Sequence, residues 1–380
     1  MRRLLALLAL AALVAGCGKN AKRDNVEEPA ELLEFTPSVS VSKVWSQDLG
    51  KGERRLGIRQ HPTIDGTQAY AADPKGKLYA FDAISGATAW SVDTKLRISS
   101  SPGVGEGTLV IGTLDGDVVA FNPDTGSERW RNRVTAEVVA APVVARGIVV
   151  VRGIDGRVFA FSIIDGERRW VYDHGTPALT LRGSSAPILA EGLVLLGYDS
   201  GQVVALRGED GVQLWEQAIA FGEGRTELER MVDIDGEMAY DAGQLYAAAF
   251  NAQVVGVSLE GGRPLWNREM SSYAGVALSD NKLFVTDRDG VLWALDRDNG
   301  AALWKQDGLG HRWLTTPAVQ GTRVVVGDVE GYLHWFDIET GQPAARERLD
   351  GKPIRATPQV LGDTVLAVST AGRLGAFRVH

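Results

Sequence analysis

A single cysteine and five histidines bound the chemistry open to this chain of 380 residues. Cys17 follows a basic Arg2-Arg3 pair, an apolar run from Leu4 to Leu13 and the small-residue stretch Val14-Ala15-Gly16. With no second cysteine to meet, its sulfur is free for modification and excludes an internal disulfide. His61, His174, His311, His334 and His380 have no mutual spacing that would gather them on one metal, and no Gly-x-Ser-x-Gly elbow offers a nucleophile. Gly103-Val104-Gly105-Glu106-Gly107 lies between two strand-like runs and opens no helix, so it does not form a phosphate cradle. Asp115-Gly116, Asp155-Gly156 and Asp289-Gly290 lack the alternating carboxylates of a calcium loop and serve as turns. No catalytic residue, metal site or cofactor is expected.

The elements that remain are repeats. A unit of Gly, alternating apolar and small residues, a Gly turn and then Trp recurs with its Trp at 90, 130, 170, 215, 266 and 304; a seventh copy has Ala345 there, and an eighth stops at His380. From Gly76, Gly116, Gly156, Gly201, Ala252, Gly290, Gly331 and Gly372 the steps are 40, 40, 45, 51, 38, 41 and 41 residues. A period near forty, with strand patterning and turns inside each copy, predicts four-stranded antiparallel blades. Stacking such twisted sheets in a ring covers both apolar faces. The piece missing from the last copy stands at the other terminus as Val44-Trp45-Ser46, which predicts an all-β, eight-bladed β-propeller over 41–380, closed by the N-terminal strand. Each Trp is expected to dock on the next blade with its N–H on a backbone carbonyl, and Ala345 to leave one junction weaker.

Charge agrees with a soluble body that avoids nucleic acid. The net charge is −8, and no Lys/Arg stripe emerges from the repeats. Residues 1–16 have the order of a signal peptide, too short in their apolar run to span a bilayer. Val-Ala-Gly-Cys resembles the bacterial lipobox, which implies cleavage before Cys17, its acylation, and an address on the periplasmic face of a Gram-negative outer membrane. Gly18 and Lys19 follow the cysteine; an Asp there would resemble an inner-membrane retention signal. Residues 17–40 are expected to form the lipidated cysteine and a flexible tether.

Two connections depart from the period. The steps of 45 and 51 place extra residues after Trp170 and Trp215, in consecutive blades and on one face. The first, YDHGTPALTLRGSSAP, presents Leu179 and Leu181 beside Arg182; the second, FGEGRTELERMVDIDGE, is expected to make a short helical turn over Arg225–Arg230 and to present Asp233 and Asp235 as alternate carboxylates. Two leucines with a charged rim form a plausible anchor for a protein partner.

The repeat resembles that of the pyrroloquinoline-quinone-type propellers, although the vicinal cysteine pair of the quinoprotein dehydrogenases is absent. Ala178-Leu179-Thr180-Leu181-Arg182-Gly183, Arg225-Thr226-Glu227, Asp233 to Asp235, His311-Arg312, Gly327-Asp328 and Gly331-Tyr332-Leu333-His334-Trp335, taken with the lipobox, resemble the BamB family of outer-membrane assembly lipoproteins. That resemblance implies a non-enzymatic subunit of the β-barrel assembly machine whose long connections bind the periplasmic POTRA domains of BamA. It carries partner contact to Leu179, Leu181, Arg182, Asp233 and Asp235; Glu227 and Arg230 join them on local geometry alone. Blade edges could also receive unfolded outer-membrane protein precursors by β-augmentation. The alternatives are a glycan-binding lipoprotein, which would need Trp293, Trp313 or Trp335 exposed on a rim, and a quinone-dependent dehydrogenase.

Overall fold

The computed structural model describes residues 27–53, 57–175, 177, 185–222, 225–226 and 230–380. Among the described residues, thirty-two strands form eight four-stranded antiparallel sheets arranged as a ring, and no helix is long and apolar enough to cross a membrane. The second blade is typical. Gly103–Gly105, Thr108–Gly112, Asp117–Phe121 and Glu128–Arg133 follow one another outward from the ring axis. The eighth blade takes Gln359–Leu361, Thr364–Val368 and Arg373–Val379 from the C-terminus and Val41–Asp48 from the N-terminus, with Val41 opposite Val379 and Asp48 opposite Arg373.

Burial follows strand position. The second and third strands of each blade are almost wholly covered, as in Leu109, Val110, Ile111, Val118 and Val119, because a neighbouring blade lies on either side. Outer strands alternate exposed and half-buried residues, as in Thr88–Asp93 and Pro264–Glu269.

The Trp of each outer strand reaches the next blade. Nε1 of Trp45, Trp90, Trp130, Trp170, Trp215, Trp266 and Trp304 donates to the carbonyls of Ala83, Pro123, Ile163, Gly208, Leu259, Arg297 and Ile338 at 2.7–3.1 Å. The turn glycine of the receiving blade lies flat on the indole. A Cβ at Gly300, where φ is +72°, would fall 2.5 Å from the Trp266 ring. One motif therefore requires both residues, Trp on one blade and Gly on the next.

At Ala345 the indole-to-carbonyl bond of the other junctions is missing, and the packing differs. The eighth blade has no turn between its third and fourth strands, because the third ends at the C-terminus and the fourth begins separately at Val41, with His380 N–H on the Ser40 carbonyl at 2.9 Å. The chain from Ser38 to Val41 lies there instead, with Val39 and Val41 packed on the core that holds Ala344 and Ala345. The volume is filled by Trp335, fully buried and opposite Ala345 in the strand pair, with its N–H on Gln320 Oε1 at 2.8 Å.

The expected flexible tether is also corrected in its described part. Residues 27–40 lie along the seventh blade and are hydrogen-bonded to it. Ala30 N–H donates to the Gly310 carbonyl at 2.9 Å, and Ser38 N–H to Ala344 at 3.0 Å. The composition of this stretch did not reveal its partners at Gly310 and Ala344, far along the chain.

Candidate partner interface

Antiparallel order inside each blade sends the turns between second and third strands, and all connections from one blade to the next, to a single face. Both long connections lie on it. Leu179, Leu181, Arg182 and Glu227 fall outside the described residues, as does Cys17. What is described is the base on which those connections stand.

The second connection leaves the ring at Ile219 and Ala220, which are buried, and at once exposes Phe221, 70% accessible. Gly222 lies so close to Arg230 that a Cβ would meet the Arg230 carbonyl at 1.9 Å, so the excursion is pinched at its base. Arg230 N–H donates to the Thr226 carbonyl at 3.1 Å, and Arg225, Thr226 and Arg230 are exposed; the residues between Thr226 and Arg230, where a helical turn was expected, lie outside the described residues. Phe221 was missed by the sequence reading; a lone aromatic beside Gly and Glu in an overlong connection was the available signal.

Asp233 and Asp235 are not on that exposed surface. Asp233 is 1% accessible, and its backbone pairs with Phe250, whose N–H reaches the Asp233 carbonyl at 2.8 Å. Ile234 between them is buried in the core shared by the fourth and fifth blades. Asp235, half-buried, lines the ring channel with Arg59, His61, Glu237 and Arg355. The two carboxylates meet Asp199, all three offering oxygens within 4.8 Å of one another.

The positive charge that answers this cluster comes from the third blade. Arg152, 2% accessible, donates Nη1 to the Gly197 carbonyl at 2.5 Å and Nη2 to Asp199 Oδ1 at 3.1 Å, with its guanidinium 4.6 Å from the Tyr198 ring centre. His174 stacks on the same Tyr198 ring, with the two ring centroids 3.9 Å apart. Burial, and then the charge of Asp199, pushes the Asp235 carboxyl up to about 6. Burial raises Asp199 as well, against the opposing pull of Arg152. A built-in guanidinium makes this donor set a buried ion-pair network under the connections. Arg152 is more than forty residues from Asp199, so local sequence could not predict that the aspartates would turn inward.

The remaining motif residues build a second buried network on the same face. Arg312 Nε donates to Asp328 Oδ2 at 2.8 Å, Arg312 Nη2 to Glu330 at 2.5 Å, and His334 Nε2 lies 2.9 Å from Asp328 Oδ2. Trp335 is fully buried and Trp293 half-buried with its N–H on Asp287, so of the three tryptophans that could serve a glycan rim, only Trp313 is exposed, at 57%.

The family model described as outer membrane protein assembly factor BamB matches residues 40–104, 74–306 and 294–380. The chain belongs to the BamB family. The BamB of Xanthomonas campestris is 42% identical over 398 aligned positions, covering 100% of this chain and 98% of the relative. That of Pseudomonas aeruginosa is 44% identical over 375 positions, covering 99% and 98%. The crystal structure of BamB from Moraxella catarrhalis superposes with a TM-score of 0.81 at 25% identity, covering 89% of this chain and 100% of that one. BamB proteins are assembly factors and not enzymes, so the quinone-dependent alternative falls away.

Proposed function

We propose that this BamB-family propeller is a non-enzymatic scaffold of the outer-membrane β-barrel assembly complex, anchored by acyl chains on Cys17 at the periplasmic face of the outer membrane. Its two long connections grip the POTRA domains of BamA and thereby assist folding and insertion of outer-membrane proteins. The observation that carries this reading is family membership along the whole chain, joined to an excursion that holds Phe221, Arg225 and Arg230 out in solvent beside the connection bearing Leu179, Leu181 and Arg182. An exposed aromatic flanked by guanidinium groups is the composition of an interface anchor. Exposed Arg230 contributes to the rim, and Glu227, outside the described residues, is proposed as a further contact. Asp233 and Asp235 act from beneath, fixing the second connection through the buried network with Asp199 and Arg152. Confinement by the lipid raises the local concentration of the scaffold for a membrane-embedded partner.

Co-purification with BamA from detergent-solubilised membranes tests the surface. Leu181→Asp and Phe221→Ser should each cut recovery at least tenfold while the propeller keeps its thermal midpoint. Full recovery from both variants would remove the connections from the interface.

A second surface suits precursor strands. Val44, Leu214, Leu265 and Leu303 stand one residue before their Trp on outer strands and are 39–46% accessible. Three of them follow in consecutive blades, giving edge strands with an apolar stripe, the combination that β-augmentation uses. Photo-crosslinkers at these positions should capture unfolded barrel precursors, whereas those on the polar second blade should not.

A further inference from the structure

The N-terminal segment enters the ring by a route that no repeat specifies. Glu27 Oε2 lies 2.6 Å from His311 Nε2, and Arg312 Nη1 donates to the Ala30 carbonyl at 2.7 Å. Leu32 packs on the core that holds Leu309, Leu314 and Phe336. Arg346 covers the Phe35 ring at 5.1 Å and donates to the Leu33 carbonyl at 3.2 Å. The Ala344 carbonyl then takes the N–H groups of Ser38 and Val39. The segment thus descends the outside of the seventh blade from the face of the long connections to the opposite face, where Val41 begins its climb as the closing strand.

The clamp decides from which face the chain departs. Were residues 27–40 released, the tether would start at Val41, on the face opposite the long connections. Held as they are, the described chain reaches the connection face at Glu27, beside His311 in the connection between the sixth and seventh blades. From Cys17 to Glu27 are ten residue steps, a reach of at most about 33–36 Å. From Cys17 to Val41 there are 24 steps, about 80 Å taut.

We propose that the clamp of His311, Arg312 and Arg346 on residues 27–40 turns the face bearing the two long connections toward the phospholipid surface. This rests on acylation of Cys17 as read above. A partner gripped by those connections is then held between the ring and the membrane.

Energy transfer in vesicles tests the orientation with no partner present, so its outcome is separate from that of the co-purification. Full-length acylated protein is bound to vesicles of phosphatidylethanolamine and phosphatidylglycerol carrying a headgroup acceptor dye. The donor sits on Asp289→Cys, in a turn on the connection face of the sixth blade, or on Asp298→Cys, in a turn on its opposite face; both positions are exposed. Transfer from position 289 should exceed that from 298 at least twofold. Thirty Gly/Ser residues inserted between positions 25 and 26 should erase the difference, and Arg312→Ala combined with Phe35→Ser should erase or reverse it. Should that double variant not fold, the insertion alone decides. Equal transfer from the two faces, a ratio unmoved by the insertion, or an unacylated Cys17 by mass spectrometry would each overturn the proposal.

Discussion

Arg312 Nε and Asp328 Oδ2 meet at 2.8 Å with both side chains almost sealed from solvent, and the same guanidinium reaches out to the Ala30 carbonyl. A buried charge is tolerable only with its partner in place. Arg312→Met should therefore cost about 3–5 kcal/mol, the range for leaving one buried charge uncompensated. Arg312→Met with Asp328→Asn should recover part of that loss. Urea denaturation of the single and double variants gives the comparison, and equal midpoints for the two would show that the pair is not coupled.

His334 gives this region an acid limit. Burial, followed by the charges of Arg346 and Arg312, holds its imidazole below the ordinary value of 6.5, against the pull of Asp328. The neutral ring suits its neighbours: Nε2–H donates to Asp328, and Nδ1 accepts from Arg346 Nε at 3.3 Å. A folded value lowered from 6.5 means that the unfolded chain takes up the proton first as pH falls. Stability contributed by the neutral ring is complete above about 6.5 and declines as pH drops toward the folded value. Asp328 acts in the same direction. Burial opposes its ionisation, but the hydrogen bonds from His334 and the Tyr332 N–H, with the Arg312 charge, outweigh it and hold the carboxyl below 3.8, so its contribution is lost at lower pH still. The urea midpoint should fall between pH 7 and pH 5, and His334→Gln should flatten that decline.

Asp235 has the opposite sign. Its carboxyl is raised from 3.8 to about 6, so the folded protein keeps the proton over a window in which the unfolded chain has released it. Stability is then lost as pH rises from about 4 to about 6 and is level above that. Asp235→Asn removes the ionisation. The variant's stability relative to wild type should grow between pH 4 and pH 7.5, by up to about 3 kcal/mol for a shift near two units. A pH-independent difference would mean that Asp235 ionises normally.

The blade junctions supply the strongest test of the fold. Trp266→Ala should cost about 3–5 kcal/mol through lost burial and cavity formation. Gly300→Ala should be similarly harmful, because its Cβ would enter the Trp266 ring at a φ of +72°.

Ala345→Trp restores the residue that the other repeats carry, yet it should destabilise by about 1–3 kcal/mol through overpacking. Trp335 already occupies that side of the strand pair, and the eighth blade offers no turn to receive a second indole. A raised thermal midpoint for this variant would contradict the packing described.

The repeat period, the Gly and Trp spacing, and the split last unit were enough to predict eight blades and the closing strand, because each blade is made by contacts within about forty residues and the ring adds the same contact again. Sequence also located the two long connections, since insertions are visible against a fixed period. It placed Asp233 and Asp235 on the wrong surface. Alternate carboxylates in a polar loop look exposed until Arg152 from one blade and Asp199 from another are brought beneath them, and only the closed ring does that. The descent of residues 27–40 along the seventh blade was equally hidden, as was the replacement of a junction Trp by Trp335. Local patterning encodes strands and turns; pairing between buried charges far apart in the chain depends on which surfaces the finished ring presses together.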